Sequence, residues 1–150
     1  MDRAILVPID GSEPAWDALT FALEHHADAD ITAYYVISTM SAPDEAVIEQ
    51  AYEHDDGINE ARREYATDVL DDATQVAAEY GVDISTDYER GIPREAILDY
   101  AEDQDIDQII MGSHGHTGLT RFMVGSTAEK VTRQAPAPVT IVRPEALAAD

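Results

Sequence analysis

Residues 4 to 9, AILVPI, form a continuous apolar run of the kind a strand shows when both of its faces are covered. Asp10-Gly11-Ser12 interrupts the run, and Ser12 followed by Pro14 marks a helix start. Trp16, Leu19, Phe21 and Leu23 give that helix a broad apolar side. ITAYYVI at 31 to 37 is rich in β-branched and aromatic residues and predicts a second strand. Residues 38 to 56 have no clean period and read as a connection with some helix. Ile58, Ala61, Tyr65, Val69, Ala73, Val76 and Tyr80 then recur in steps of three and four, which predicts an amphipathic helix stopped by Gly81. VDISTDY at 82 to 88 reads as a third strand. Arg90 to Pro93 opens another helix, with Ala96, Ile97, Tyr100 and Ala101 facing inward. IDQIIM at 106 to 111 is a fourth strand. Ser126 and Glu129 have the spacing of a capping box for a last helix, Pro136 and Pro138 end it, and VTIV at 139 to 142 is a fifth strand.

Strands that alternate with helices imply right-handed βαβ units, so the expected fold class is α/β: one doubly wound, five-stranded parallel sheet with helices on both faces. No repeat or linker divides the chain, so residues 1–150 read as one domain. In such a sheet ligands bind beyond the carboxyl ends of the strands, at the point where strand order switches. Asp10, Ile37 and Gly112 all fall at those ends.

Composition narrows the function classes. The chain has no cysteine, which excludes disulfides, thiolate metal sites and thiol chemistry. No apolar stretch approaches the roughly 20 residues that cross a bilayer, and the N-terminus does not resemble a signal peptide, so a soluble, cytoplasmic protein without membrane insertion is expected. Nine basic and 31 acidic residues give a net charge of −22, which repels nucleic acid. The plain reading is an acidic solvated surface. A sharper one is adaptation to a halophile's salty cytoplasm, where such repulsion is screened. The charge is uneven: residues 108–143 carry +3 against −23 for residues 1–107. An anionic ligand is tolerated best in that one net-positive stretch.

The stretch MGSHGHTGLTRFMVGSTAEK, residues 111–130, lies between the fourth strand and the last helix and contains Gly112-x-x-Gly115, nine residues, then Gly125-Ser126. Glycines let backbone N–H groups approach a phosphate, and a helix N-terminus offers unpaired donors at the positive end of its dipole. Ser126 is able to donate its hydroxyl to a ligand or to cap the helix, two roles that partly compete. On spacing alone, phosphate binding and a plain turn stand about even.

Beyond spacing, IIMGSHGHTGLTRFMVGSTAEKVTRQAPAPVTIVR resembles the signature of the universal stress protein family in its ATP-binding branch. VPIDGSEPAWDAL resembles that family's first strand and turn, and RGIPREAILDYAEDQDIDQIIMGSHG its third helix and fourth strand. The resemblance implies a Rossmann-like sheet of the adenine-nucleotide alpha hydrolase type, with strand order 3-2-1-4-5. It also implies ATP with Mg²⁺ as the ligand. Asp10 would then face the ribose and phosphates or their Mg²⁺. Val36 would offer backbone hydrogen bonds to adenine, with Pro8 and Ile9 close by. Met111, Gly112, His114 and Gly115 would line ribose and phosphates, and Gly125, Ser126 and Thr127 would hold the phosphates. A homodimer would form through the last strand, Val139, Thr140, Ile141 and Val142, open to higher assembly and to an unidentified protein partner.

Without the resemblance, Asp10 reads as a turn residue before Gly11, and Val36 and Met111 as core. The pair His114 and His116 lacks a third ligand at a telling spacing, which disfavours a metal site. Trp16, Tyr65, Tyr80 and Tyr100 fall at helical spacing and read as core or interface. Three alternatives stay open beside a regulatory ATP-binding dimer: a dimeric scaffold that binds no nucleotide, a binder of AMP or a cyclic nucleotide, and a slow ATP hydrolase. No catalytic residue is assigned, because the chain has neither a Gly-x-x-x-x-Gly-Lys-Ser/Thr loop nor a Gly-x-Ser-x-Gly elbow.

Overall fold

The structure, a computed structural model, describes residues 3–39, 60–113 and 125–143. Its elements run β1 (Ala4–Pro8), α1 (Glu13–His25), β2 (Asp30–Ser38), α2 (Glu60–Glu79), β3 (Ser85–Gly91), α3 (Pro93–Asp103), β4 (Gln108–Gly112), α4 (Ser126–Gln134) and β5 (Val139–Val142). The five strands form one parallel sheet in the order β3-β2-β1-β4-β5, the Rossmann-like arrangement expected.

Alternation along the central strands divides the core in two. Ile5 and Val7 of β1 pack with Ile31, Ala33 and Ile110 under α1 and α2. Leu6 faces the other way with Tyr34, Ile109 and Met111 under α3 and α4. Both faces are covered, and for that reason β1 and β4 read as continuous apolar runs.

Three expectations shift. The third strand is not residues 82 to 88 but Ser85–Gly91, and its first six residues are all exposed. An edge strand without a buried face leaves little hydrophobic pattern to read. In α2 the stripe that meets the sheet is Ala66, Val69, Leu70, Ala73 and Ala77. Tyr65 and Tyr80 are instead 52% and 43% exposed, outside the core. Small residues let α2 lie close on β2, and the aromatics ride its outer flank. Trp16, Phe21 and Tyr100 are partly buried against the two cores. Ile58, the 40–59 connection and His54 lie outside the described residues.

Among the described residues, no helix is long and apolar enough to cross a membrane.

Candidate functional site

The crevice begins with a proline. Ile9 N–H donates to the Tyr34 carbonyl at 2.8 Å, so odd-numbered residues of β1 hydrogen-bond toward β2 and even-numbered ones toward β4. The β1–β4 pairs recorded are Ile5↔Gln108 and Leu6↔Ile109. The next donor on that side would be residue 8, and Pro8 has no N–H. Pairing between β1 and β4 stops two residues before β1 ends at Pro8, and the sheet opens at its switch point.

A cavity of about 520 Å³ occupies this opening, within the roughly 300–1,000 Å³ usual for small-molecule sites. Pro8, Ile9, Asp10, Val36, Met111, Gly112, Gly125, Ser126 and Thr127, all singled out from the sequence, line it together. His114 and Gly115 lie outside the described residues, as does His116. Ser12, Pro14, Ala15, Tyr34, Pro93, Ile97, Ser113 and Ala128 line the cavity as well and were not foreseen. Some of these carried a signal: Tyr34 shares a strand face with Val36 by the period of two, and Ser12 and Ser113 follow strand ends.

One end of the cavity is the start of α4. Its first helical bond runs from Glu129 N–H to the Gly125 carbonyl at 2.9 Å, so the amides of residues 126, 127 and 128 have no helical acceptor. Among the described residues no side chain caps them. Ser126 is therefore not the cap: Gly125 holds that position with φ −62° and ψ 159°. The expected capping box is absent, and Glu129 instead pairs with Arg133 at 3.4 Å on the surface. Gly125 spends its own N–H on the Ser113 carbonyl at 2.7 Å, which ties α4 to the end of β4. Three amides without helical acceptors at the positive end of a helix dipole suit an anion, and no described residue that lines the cavity is basic.

Gly112 has a different reason to be glycine. A Cβ there would lie 2.6 Å from the Pro14 carbonyl carbon and 2.7 Å from the Pro14 Cβ, so its bareness lets β4 meet the first turn of α1. Gly11 turns the chain from β1 into α1 at φ +86°, under the Tyr65 hydroxyl. Asp10 stands exposed on that turn. Its Oδ1 accepts the Ser12 N–H at 2.9 Å, and its second oxygen has no partner among the described residues.

The other end lies across β1, where Tyr34 and Val36 of β2 meet Pro93 and Ile97 of α3. Since Tyr34 turns its carbonyl toward β1, Val36 two residues on turns its N–H and C=O the same way, beyond the end of β1 at Pro8. A flat heteroatom-bearing ring fits such an edge. Tyr100 donates to Asp87 at 3.1 Å beside it. Burial, reinforced by Asp87, pushes the Tyr100 hydroxyl up to about 12. Among the described residues no cluster of three or more His, Cys, Asp or Glu could hold a metal alone.

A family model described as the universal stress protein family matches residues 1–143. Universal stress protein MJ0531 of Methanocaldococcus jannaschii is 33% identical over 146 residues, covering 94% of this chain and 82% of that protein. The structure of universal stress protein UspA from Lactobacillus plantarum superposes with a TM-score of 0.76 at 30% identity, covering 94% of this chain and 97% of that one. Three further structures share the fold. They are a universal stress protein with cAMP (23% identity, TM-score 0.67, 93% and 96% of the two chains), one from Archaeoglobus fulgidus with dAMP (22%, 0.66, 93% and 96%) and one from Arabidopsis thaliana with AMP (18%, 0.65, 93% and 90%).

Proposed function

The chain belongs to the universal stress protein family, and we propose that within it this protein binds ATP with Mg²⁺ and acts as a nucleotide-dependent regulatory dimer. The observation that carries the reading is the start of α4, where three amides without acceptors open onto a cavity of nucleotide size. Ser126 and Thr127 add hydroxyls to those amides. Asp10, with one carboxylate oxygen engaged by Ser12, offers the other to Mg²⁺ or to the ribose. Val36 offers adenine a donor and an acceptor from its backbone. Pro8, Ile9 and Met111 supply apolar walls, while His114 and Gly115 would line ribose and phosphates. Fold neighbours that hold AMP, dAMP and cAMP support an adenine nucleotide as the class of ligand.

Dimerisation is proposed through β5. It is an edge strand, and edge strands present unpaired N–H and C=O groups to another chain. Pairing Val139–Val142 with a second copy would extend the sheet symmetrically. A cytoplasm of high salt is the proposed setting, since a surface at −22 repels itself least there.

The test is to purify the protein natively in molar KCl, denature it, and identify the released small molecules by mass spectrometry. ATP near one per chain supports the reading. AMP in its place redirects the function to energy sensing or slow turnover. No nucleotide, together with no ATP binding on titration, leaves a dimeric scaffold. Sedimentation of the same sample checks the dimer, and a monomer at all concentrations would remove it.

A further inference from the structure

Tyr65 is 52% exposed, yet the tip of its ring rests on backbone. A Cβ on Gly11 would lie 2.5 Å from the Tyr65 Oη, 3.3 Å from its Cζ and 3.4 Å from the Val69 Cγ2. The open side of Gly11 is therefore filled by α2. Tyr35 meets the Tyr65 ring edge-on, with 6.2 Å between centroids. Gly11, Val69 and Tyr35 belong to the turn, the helix and the sheet, and the ring joins all three.

Gly11 is the pivot of the turn that carries Asp10. Its φ of +86° is open to glycine and strained for other residues. The same freedom leaves a glycine turn loose unless something packs against it. Pro8, Ile9, Asp10 and Ser12 all line the cavity, and Gly11 alone of residues 8–12 does not. Tyr65 and Val69 do not line it either. The turn thus has the cavity on one side and α2 on the other. The bond from Ser12 N–H to Asp10 Oδ1, at 2.9 Å, spans Gly11, so the carboxylate is held only as firmly as that pivot.

We propose that Tyr65 is a positioning residue, which holds Gly11 from the side away from the cavity and so presets the Asp10 carboxylate for its ligand. The inference rests on the nucleotide reading above, in which Asp10 meets Mg²⁺ or the ribose, and adds the residue that fixes it in advance. A group already in place when the ligand arrives costs nothing to order on binding. Tyrosine suits the task, since a ring with only two side-chain torsions stays put at low entropic cost even when half in water. Val69 covers the same side of Gly11, so the turn keeps its fold without Tyr65. The loss then falls on the precision of Asp10, and hence on affinity, more than on stability.

The test is a double-mutant cycle by titration calorimetry with Mg-ATP in molar KCl, beside thermal melts of each protein. Its members are wild type, Tyr65→Ala, Asp10→Asn and the variant carrying both changes. Asp10→Asn should weaken binding about tenfold or more, and Tyr65→Ala about threefold to tenfold. The double variant should bind as Asp10→Asn does, because Tyr65 acts only through that carboxylate. Tyr65→Phe, whose Cζ still lies against Gly11, should stay within about twofold of wild type. If Tyr65→Ala melts too low to titrate, Tyr65→Leu, which is too short to reach Gly11, takes its place in the cycle. Unchanged affinity in Tyr65→Ala, or losses that add in the double variant, would overturn the inference and leave nucleotide binding standing. Undiminished binding in Asp10→Asn removes Asp10 from the site and this inference with it, and a wild type that binds no nucleotide overturns the nucleotide reading itself.

Discussion

At one end of the cavity the wall is backbone. The first turn of α4 presents three amides without acceptors, Gly125 caps the helix without a side chain, and the surrounding segment, residues 108–143, carries +3. At the other end the wall is Tyr34 and Val36 of β2 with Pro93 and Ile97 of α3, and Tyr100 stacks on Tyr34 behind it. One end is suited to a phosphate through backbone dipoles that do not titrate. The other is largely apolar, with the backbone edge of Val36 beside it, and suits a flat ring. A nucleotide has that same polarity, anionic at one end and a flat ring at the other. No described residue that lines the cavity is basic, so in a chain at −22 the positive end of the cavity is built from backbone.

The sharpest way to break the comparison is at the backbone end. Gly125→Val should weaken Mg-ATP at least about 100-fold, since blocking two charge-assisted hydrogen bonds removes roughly 1.5–3 kcal/mol each. The fold should survive, because φ −62° and ψ 159° suit an ordinary residue. Titration calorimetry with a parallel thermal melt reads both effects, and undiminished affinity in the folded variant would count against the site.

Gly112→Ala should do the reverse. Its Cβ would press on the Pro14 backbone, so the loss falls on stability, about 1–3 kcal/mol by overpacking, or roughly 2–4 °C of Tm for each kcal/mol. A variant that melts like wild type would show that this glycine serves something other than the α1 contact.

Salt should act on the anion end less steeply. Raising KCl from low to molar concentration shortens the Debye length from about 10 Å at 0.1 M to about 3 Å. The net charge of −22 is then screened, and ATP affinity should rise severalfold. Steady weakening across the titration would mean that local attraction outweighs the global repulsion.

The smallest effect belongs to the tyrosine end and appears in alkali. Tyr100 is raised to about 12, and an acid raised on folding adds stability that is fully present below its unfolded value near 10 and lost as pH climbs through its folded value. Tyrosinate absorbance should show Tyr34 and Tyr100 ionising last of the seven tyrosines, together with the loss of far-UV circular dichroism. All seven ionising in one phase near pH 10, with the fold intact, would remove the buried pair.

Much of the fold was legible because β1, β2 and β4 are buried on both faces and α1, α3 and α4 begin or end at Pro or Gly. β3 was misplaced because hydrophobicity carries no message in STDYERG, where β2 alone holds the strand in register. In α2 the period was right and Val69 and Ala73 do face the core, but the stripe is centred further round, with Tyr65 at the rim and Ala66 buried. The glycine motif pointed to the cavity, but not to the division of labour within it. Tyr34 carried only the weak signal of sharing a strand face with Val36, since a tyrosine amid β-branched neighbours reads as strand core.

By itself, the sequence determined the order of elements, the absence of thiol chemistry, the acidic surface and the family signature, all properties of single residues or of short spacings. Only the tertiary structure decided where β1 and β4 part at Pro8 and why Gly112 cannot carry a side chain. It also decided that Gly125 rather than Ser126 caps α4, and that Asp87 and Glu89 stand beside Tyr34 and Val36. Those facts depend on contacts between residues far apart in the chain. No local pattern encodes such contacts, because backbone pairing and close approach are settled only when the strands and helices are packed together.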